Sequence, residues 1–562
     1  VGATVVEGAS GPTGPEPTDP ALDPGPEVPA EERTDHVAVA HLRGRWLTVV
    51  AVGMGLALAA GLVLRFWTRS ALWLDEALTV NIARLPLSHL HAALRRDGAP
   101  PLYYVLLHFW MQIFGTSDGA VRALSGVLSV LTLPMVWVAG RRFGGRTVAW
   151  VATLLVATAP FAVYYATESR MYALVMFLTA GLVVALEGVL RRPGPLNLLG
   201  LGLCTAALLY SQYWSLYLVA TVGIWLLWRV WRHPGESRHR ALLGLAALAV
   251  GALAFVPWLP TFAFQSAHTG TPWAKPPNFA AIINAVTGFT DNQATTSAAG
   301  SNQGRLLALF YFVLGFLGLF GLAKDRFHID LDIRTRPEAR SMAWVVVGTL
   351  AIAVTGGILT GSAFSVRYAS VVFVPLILLV SLGSLALIDV RIHTVVLAVA
   401  AAAGLAGAAQ NVVTKRTEAP AVAAALAAHA RPGDVIGICP DQLGPEVARL
   451  LPTGRYPETT FPRGTGPRFV NWVDYTSAVD RAHPAQFAAQ LEHRAGHDHA
   501  VWLVYQGGYQ GFSTKCEQIA ADISQAYTAG GGGAHQWVWS RPSQYYDPMN
   551  LVQFNPPGLA PR

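Results

Sequence analysis

Apolar runs of about 20 residues recur along this chain, roughly the length a helix needs to cross the hydrocarbon core of a bilayer. No other feature constrains the fold as strongly. In lipid a segment must satisfy its own backbone N–H and C=O groups, so such runs become helices. The candidate spans are 46–66, 119–140, 146–166, 172–190, 196–212, 214–231, 241–258, 305–323, 341–361, 367–388 and 392–411. Composition agrees: 53% of residues are hydrophobic and 13% charged, where a soluble domain carries about 25% charge. That excludes a disordered chain and an ordinary soluble enzyme. The formal net charge of +7 comes almost wholly from arginine. Its clustering in loops between spans is the pattern of cytoplasmic loops, so no nucleic-acid partner is expected.

The stretch 101–115 (PLYYVLLHFWMQIFG) decides the topology. It is short for a span and opens with Pro100-Pro101, which suits an interfacial or re-entrant segment better. If it crossed, the turn holding Arg141, Arg142 and Arg146 would face outward. If it does not, the basic clusters Arg141–Arg146, Arg191–Arg192, Arg229–Arg240, Lys324–Arg340 and Arg391 all fall on the cytoplasmic side, as the positive-inside rule requires. The expectation is a polytopic α-helical membrane protein in the plasma membrane, with 11 spans, N-terminus inside and C-terminus outside. Residues 1–42 are rich in Pro, Gly and acids and lack the apolar core of a signal peptide, so they read as a disordered cytoplasmic tail. Residues 43–411 form the membrane domain, with a first outer loop at 67–118.

After Asn411 the pattern changes. DVIGIC (434–439), AVWLVYQ (500–506) and HQWVWS (535–540) predict strands; 445–451, 484–495 and 514–529 predict helices. Residues 412–562 thus form an extracytoplasmic α/β domain. Cys439 ends a strand and Cys516 begins a helix on the outer side, where a disulfide is permitted; two buried thiols are the alternative. Cys204 lies within a span.

The polar residues with no structural reason to sit at a membrane collect on that outer face. Nucleotide sugars and ATP are absent there, so an enzyme would need a lipid-borne substrate. The first signal is Trp73-Leu74-Asp75-Glu76-Ala77, two adjacent acids just past the first span. A carboxylate there suits a general base acting on an acceptor hydroxyl, although acids also stabilise a helix start. The second is Tyr164-Tyr165-Ala166-Thr167-Glu168-Ser169-Arg170-Met171-Tyr172, where an ionisable pair at membrane depth is costly. Arg170 suits a phosphate, with Glu168, Tyr165 and Tyr172 toward a sugar; an ion pair pinning the turn is the alternative. Third, Arg367-Tyr368 places a second arginine beside an aromatic, and Gln212-Tyr213-Trp214 offers hydrogen bonds and stacking; membrane-interface anchors read equally well. His89, His91 and Asp97, or His497-Asp498-His499, are weak as metal sites. Gly530–Gly533 carries no phosphate-loop or dinucleotide pattern.

The strings WLDEA, PPLYYVLLHFW and RRFGGRTVAWVATLLVATAPFAVYYATESRMYAL resemble the polyprenyl-phosphate-sugar glycosyltransferases of the GT-C class, in the branch of protein O-mannosyltransferases and the lipid A aminoarabinose transferase. The resemblance covers roughly 46–390 and is most specific over 71–175. It implies a GT-C fold with juxtamembrane helices in the first loop, Asp75 as catalytic base with Glu76 as its acidic neighbour, and E-x-R-M-Y and R-Y segments matching Glu168–Tyr172 and Arg367-Tyr368. The tail domain resembles extensions of actinobacterial members. The implied reaction moves a sugar, mannose or arabinofuranose, from a polyprenyl-phosphate donor to a hydroxyl of an envelope glycan, glycolipid or protein, with inversion. No nucleotide or redox cofactor is implied, and the use of a divalent cation stays open. The competing class is a transporter or flippase of lipid-linked sugars. It lacks support in internal repeats and has no need of an acid pair at one surface. A membrane sensor would leave the 67–118 loop unexplained.

Overall fold

The computed structural model describes residues 30–270, 277–291, 301–325, 328–334, 336–361 and 364–558. The chain forms two compact units, 1–53 and 54–562. Most of the expected disordered tail, residues 1–29, lies outside the described residues. The rest of it starts the first helix, α1 (Ala30–Leu64).

Among the described residues eight helices are long and apolar enough to cross a membrane, where 11 spans are expected. Two of the expected spans, 119–140 and 146–166, are counted together in Asp118–Thr158 (α5), but a non-helical break at Gly144 and Gly145 separates them where expected. Gly145 has φ +86°, a conformation that costs a side-chain-bearing residue more than glycine. Two others are marginal: Pro195–Leu209 has 15 residues, and Ser215–Arg232 ends in two arginines.

At the centre of the bundle stands Ser370–Gly383, whose sequence SVVFVPLILLVSLG has no charge and is buried all round. A helix apolar on every face is one that neighbours must enclose. Those neighbours are α5, Tyr172–Arg191, Asn302–Phe320 and Pro337–Thr360. Contact with Asn302–Phe320 is close because both helices bring glycine to the crossing. A Cβ on Gly318 would lie 2.5 Å from the Leu379 carbonyl oxygen, and one on Gly383 would strike the Leu314 carbonyl.

Between the first span and α5 run three short helices: α2 (Leu74–Ala83), α3 (Leu87–Asp97) and α4 (Leu102–Phe114). Pro86 separates the first two, and Gly98 at φ +87° with Pro100-Pro101 separates the last two. Helix α4 is the ambiguous stretch. It buries Tyr103, Tyr104, Leu107 and Met111 and exposes Leu106, Phe109, Ile113 and Phe114. At 13 residues it reaches about 20 Å, short of the roughly 30 Å of bilayer hydrocarbon.

The C-terminal region holds a five-stranded sheet, with strands in the spatial order Glu458–Thr460, Val435–Cys439, Val501–Tyr505, Asn550–Asn555 and Gly533–Val538. The first three are parallel, and Asn550–Asn555 runs antiparallel to both of its neighbours. The three predicted strands and three predicted helices are present. Glu458–Thr460 and Asn550–Asn555 were not expected; at three residues the former is too short to show alternation. Cys439 and Cys516 are joined in a disulfide. The region seats on the first-loop helices. Arg449 bonds Asp118 Oδ1 at 2.9 Å and the Thr116 carbonyl at 2.6 Å, Trp472 N–H donates to the Arg96 carbonyl, and Asn81 donates to the Arg468 carbonyl.

Candidate active site

Helix α2 begins next to the membrane bundle and presents its two acids in different directions. Asp75 keeps 15% of its side chain exposed and lies between two arginines: Arg367 Nη1 at 2.7 Å and Arg170 Nε at 3.9 Å. These come from the turn before the central helix and from the turn before Tyr172–Arg191, so residues 292 positions apart in sequence meet at one carboxylate. Arg170 is braced from α2 and α4, donating to Thr79 Oγ1 (3.0 Å) and Tyr104 Oη (3.4 Å). Tyr104 in turn donates to Asp97 Oδ2 at 2.7 Å.

Glu76 has no exposure. It accepts from Arg122 Nε (2.7 Å) and Nη2 (2.5 Å) and from the Ser169 N–H (2.9 Å), with Arg416 Nη1 at 3.5 Å. Burial opposes its charge, but Arg122, Arg416 and the Ser169 N–H outweigh it and hold the carboxyl below its ordinary range. A group enclosed in this way cannot reach a substrate; its geometry is that of a clamp fixing α2 to α5 and to the 167–171 turn.

Glu168 is also enclosed. Among the described residues neither carboxylate oxygen has a hydrogen-bond partner, and the nearest cation is Arg416 Nη1 at 4.0 Å. Burial, only partly offset by Arg416, pushes it up to about 7. Arg416 bonds the Thr167 carbonyl (3.0 Å) and hydroxyl (2.8 Å) and lies over the Tyr164 ring. Tyr165 packs between Phe161, Tyr164 and Tyr172. Tyr368 lies against Trp214 and under the Arg367 guanidinium. Gln212 is buried, donating to the Tyr368 carbonyl and accepting from Ser370 Oγ. Tyr213 donates to Gln265 and accepts from Trp258 Nε1. The structure therefore brings Asp75, Arg170, Arg367, Tyr172 and Tyr368 together, while Glu76, Glu168 and Gln212 are committed to interior contacts.

Three donors around Asp75 are buried without a hydrogen-bond partner among the described residues: Arg170 Nε, Arg367 Nε and Tyr172 Oη. Buried polar groups are nearly always satisfied in native proteins, so orphans gathered at one carboxylate mark a place for a ligand. Their character, two guanidiniums and a phenol, suits an oxyanion.

Sequence reasoning passed over Arg122 and Arg416. The first was visible as a charge inside an apolar span, which is costly without a partner. Arg416, just past the last span, reads like any membrane-edge cation. Also unforeseen is the approach of the C-terminal region. The Tyr546 ring meets Trp73 edge-on at 5.0 Å. Asp547 exchanges backbone bonds with Arg416 and Glu418, and burial followed by the charge of Asp75 pushes its carboxyl up. Glu446 is shifted the same way by burial and by Asp547. Neither histidine pair binds a common centre: His91 bonds Thr261 at 2.8 Å, and His497 and His499 lie in a turn. Among the described residues no group of three His, Cys, Asp or Glu side chains is arranged for a metal.

Comparison with known proteins agrees with this architecture. Residues 98–260 match the family model described as dolichyl-phosphate-mannose-protein mannosyltransferase. No curated protein matches the chain in sequence. In structure it is similar to ArnT from Cupriavidus metallidurans bound to undecaprenyl phosphate, with a TM-score of 0.52 and 14% identity over 92% of this chain and 99% of that one. The apo state of the same protein gives 0.51 and 14% over 91% and 98%. A complex of S. cerevisiae protein O-mannosyltransferase bound to its sugar donor aligns over 40% of this chain and 36% of that one, at 20% identity and a TM-score of 0.31. The chain is a multi-pass membrane protein of the GT-C fold, and residues 98–260, less than a third of it, are similar to the mannosyltransferase family model.

Proposed function

We propose that this protein is an inverting glycosyltransferase that moves a sugar from a polyprenyl-phosphate donor to an acceptor hydroxyl on the extracytoplasmic face of the membrane. The observation that carries the reading is the partly exposed Asp75 carboxylate set between two arginines that retain unpartnered buried N–H groups. ArnT, which shares the fold over most of the chain, was crystallised with undecaprenyl phosphate, which supports a lipid phosphate as the ligand of this region.

The acceptor hydroxyl attacks the anomeric carbon as its proton passes to Asp75. The bond to the phosphate oxygen breaks, and Arg170 and Arg367 meet the charge that builds on the departing polyprenyl phosphate. One displacement inverts the anomeric centre. Glu76, through Arg122 and the Ser169 N–H, keeps the base and Arg170 in register. Mannose and arabinofuranose are the first donors to test, with an envelope glycan, glycolipid or protein as acceptor. The test is transfer of radiolabelled sugar from synthetic polyprenyl-phosphate mannose and polyprenyl-phosphate arabinofuranose in membranes carrying wild type or Asp75→Asn. Transfer that disappears in the variant supports the proposal. Full activity in the variant removes Asp75 as base, and no transfer with any lipid donor turns attention to lipid-linked sugar flipping.

A further inference from the structure

Two cavities of about 740 and 340 Å³ lie where the C-terminal region meets α2 and α3, outside the Asp75 site. They share Leu85, Thr453, Arg468 and Phe469 as walls, so they adjoin as two parts of one recess, each within the size range of ligand pockets. Its charge is predominantly positive. Arg84 and Arg449 line the smaller part, Arg96 the larger and Arg468 both. Asp118 pairs with Arg449, and the half-buried Glu458 stands on the wall near Arg468. No ion pair joins Arg84 or Arg96 to a carboxylate among the described residues. Burial and the two neighbouring guanidiniums all lower the Arg84 pKa, as expected of crowded like charges. A fold does not gain by collecting arginines around a cavity unless an anion enters it.

Position ties the recess to the catalytic centre. Ile82, on its wall, is seven residues from Asp75 along α2. Seven residues complete nearly two helical turns, so Ile82 shares a face with Asp75 about 10 Å along the helix, while Asn81 and Arg84 carry the recess round to the other side of α2. The remaining walls mix Tyr456 and Phe469 with Thr453, Asn471 and the 465–467 segment. Aromatic faces with hydroxyl, amide and backbone groups suit a saccharide better than an acyl chain.

We propose that this recess is an acceptor subsite for an anionic saccharide, whose carboxylate or phosphate is held by Arg84, Arg96 and Arg468 while a hydroxyl further along reaches Asp75. This rests on the glycosyltransferase reading, but its test does not need turnover. Trigalacturonate and neutral maltotriose are titrated into the full chain in detergent by isothermal calorimetry, without donor. Inorganic phosphate is added as competitor, and phosphatidylglycerol micelles form a separate arm. Trigalacturonate is expected to bind at least about tenfold more tightly than maltotriose, more weakly as salt rises, and with displacement by phosphate. Arg84→Gln and Arg468→Gln, both at exposed positions, are each expected to weaken it severalfold and together about tenfold or more. Arg494→Gln, on a helix away from the recess, controls for lost charge and is expected to bind as wild type. Equal binding of the two sugars, or unchanged binding by the double variant, overturns the proposal. Displacement by phosphatidylglycerol but not by phosphate also overturns it, assigning the arginines to lipid headgroups. Because no donor is present, a failed titration leaves transfer through Asp75 standing, and a failed transfer assay leaves the titration standing.

Discussion

Adjacent acids with opposite duties make the sharpest prediction. Asp75→Asn and Glu76→Gln each remove one charge from the same turn of α2, yet the structure assigns them different consequences. Glu76 is fully buried with Arg122 bound through two nitrogens and Arg416 beside it. Glutamine leaves the Arg122 guanidinium, itself 5% exposed, without its counter-charge. Removing one partner of a buried ion pair costs about 3–5 kcal/mol, so Glu76→Gln should unfold at a clearly lower temperature. Asp75 is 15% exposed and pairs with Arg367 at 2.7 Å; asparagine keeps an acceptor for that arginine and removes one counter-charge from a site partly open to solvent, so its melting temperature should fall clearly less than that of Glu76→Gln. Loss of a general base costs on the order of 10²–10⁴-fold in rate, so the same variant should lose nearly all transfer. The assay pairs intrinsic-fluorescence melting in detergent with radiolabelled transfer from polyprenyl-phosphate sugars. If Glu76→Gln melts with wild type while Asp75→Asn melts early, the division of labour drawn from the geometry is refuted.

The other predictions follow from the same surroundings. Glu168, held near 7 against an ordinary 4.5, favours the protonated form in the folded state. Its contribution to stability is full below about pH 4.5 and is lost as pH rises through 7, about 3 kcal/mol when complete. Glu168→Gln should therefore gain stability relative to wild type between pH 5 and pH 8, and a pH-independent difference in melting temperature would contradict this. Arg367→Gln removes a charged donor beside Asp75 and should lower kcat about 10²–10³-fold, with a lysine replacement recovering only part because the planar fork is lost; steady-state kinetics with varied donor checks both. Cys439 and Cys516 close a loop spanning 77 residues, for which chain entropy gives about 4.5 kcal/mol. Serine at both positions should lower the midpoint of limited proteolysis of the C-terminal region while leaving the membrane helices protected.

How much of this was open to a reader of the sequence divides along physical lines. Helices and strands obey local rules, so apolar length, proline breaks and periodicity located the membrane helices, the short helix at 102–114 and most of the C-terminal sheet. The break between spans 119–140 and 146–166 was legible too, since the helix is interrupted at Gly144-Gly145; span number was harder at Pro195–Leu209 and Ser215–Arg232, where length and terminal charge leave a crossing marginal. The candidate residues clustered at helix ends because charge near a membrane is expensive wherever it occurs. That rule does not separate a charge placed for chemistry from one placed to hold the fold. Asp75 and Glu76 look alike in the sequence. Only packing, which turns one toward a half-open arginine pair and buries the other against Arg122, tells them apart. Tyr546, Asp547 and the arginine recess belong to a region far along the chain from α2, and no local pattern announces that they meet. Composition and periodicity determined that this chain is a bundle of membrane helices with an appended sheet domain. Which polar groups share a site was decided by long-range contacts, because those depend on how helices cross and not on what any one of them contains.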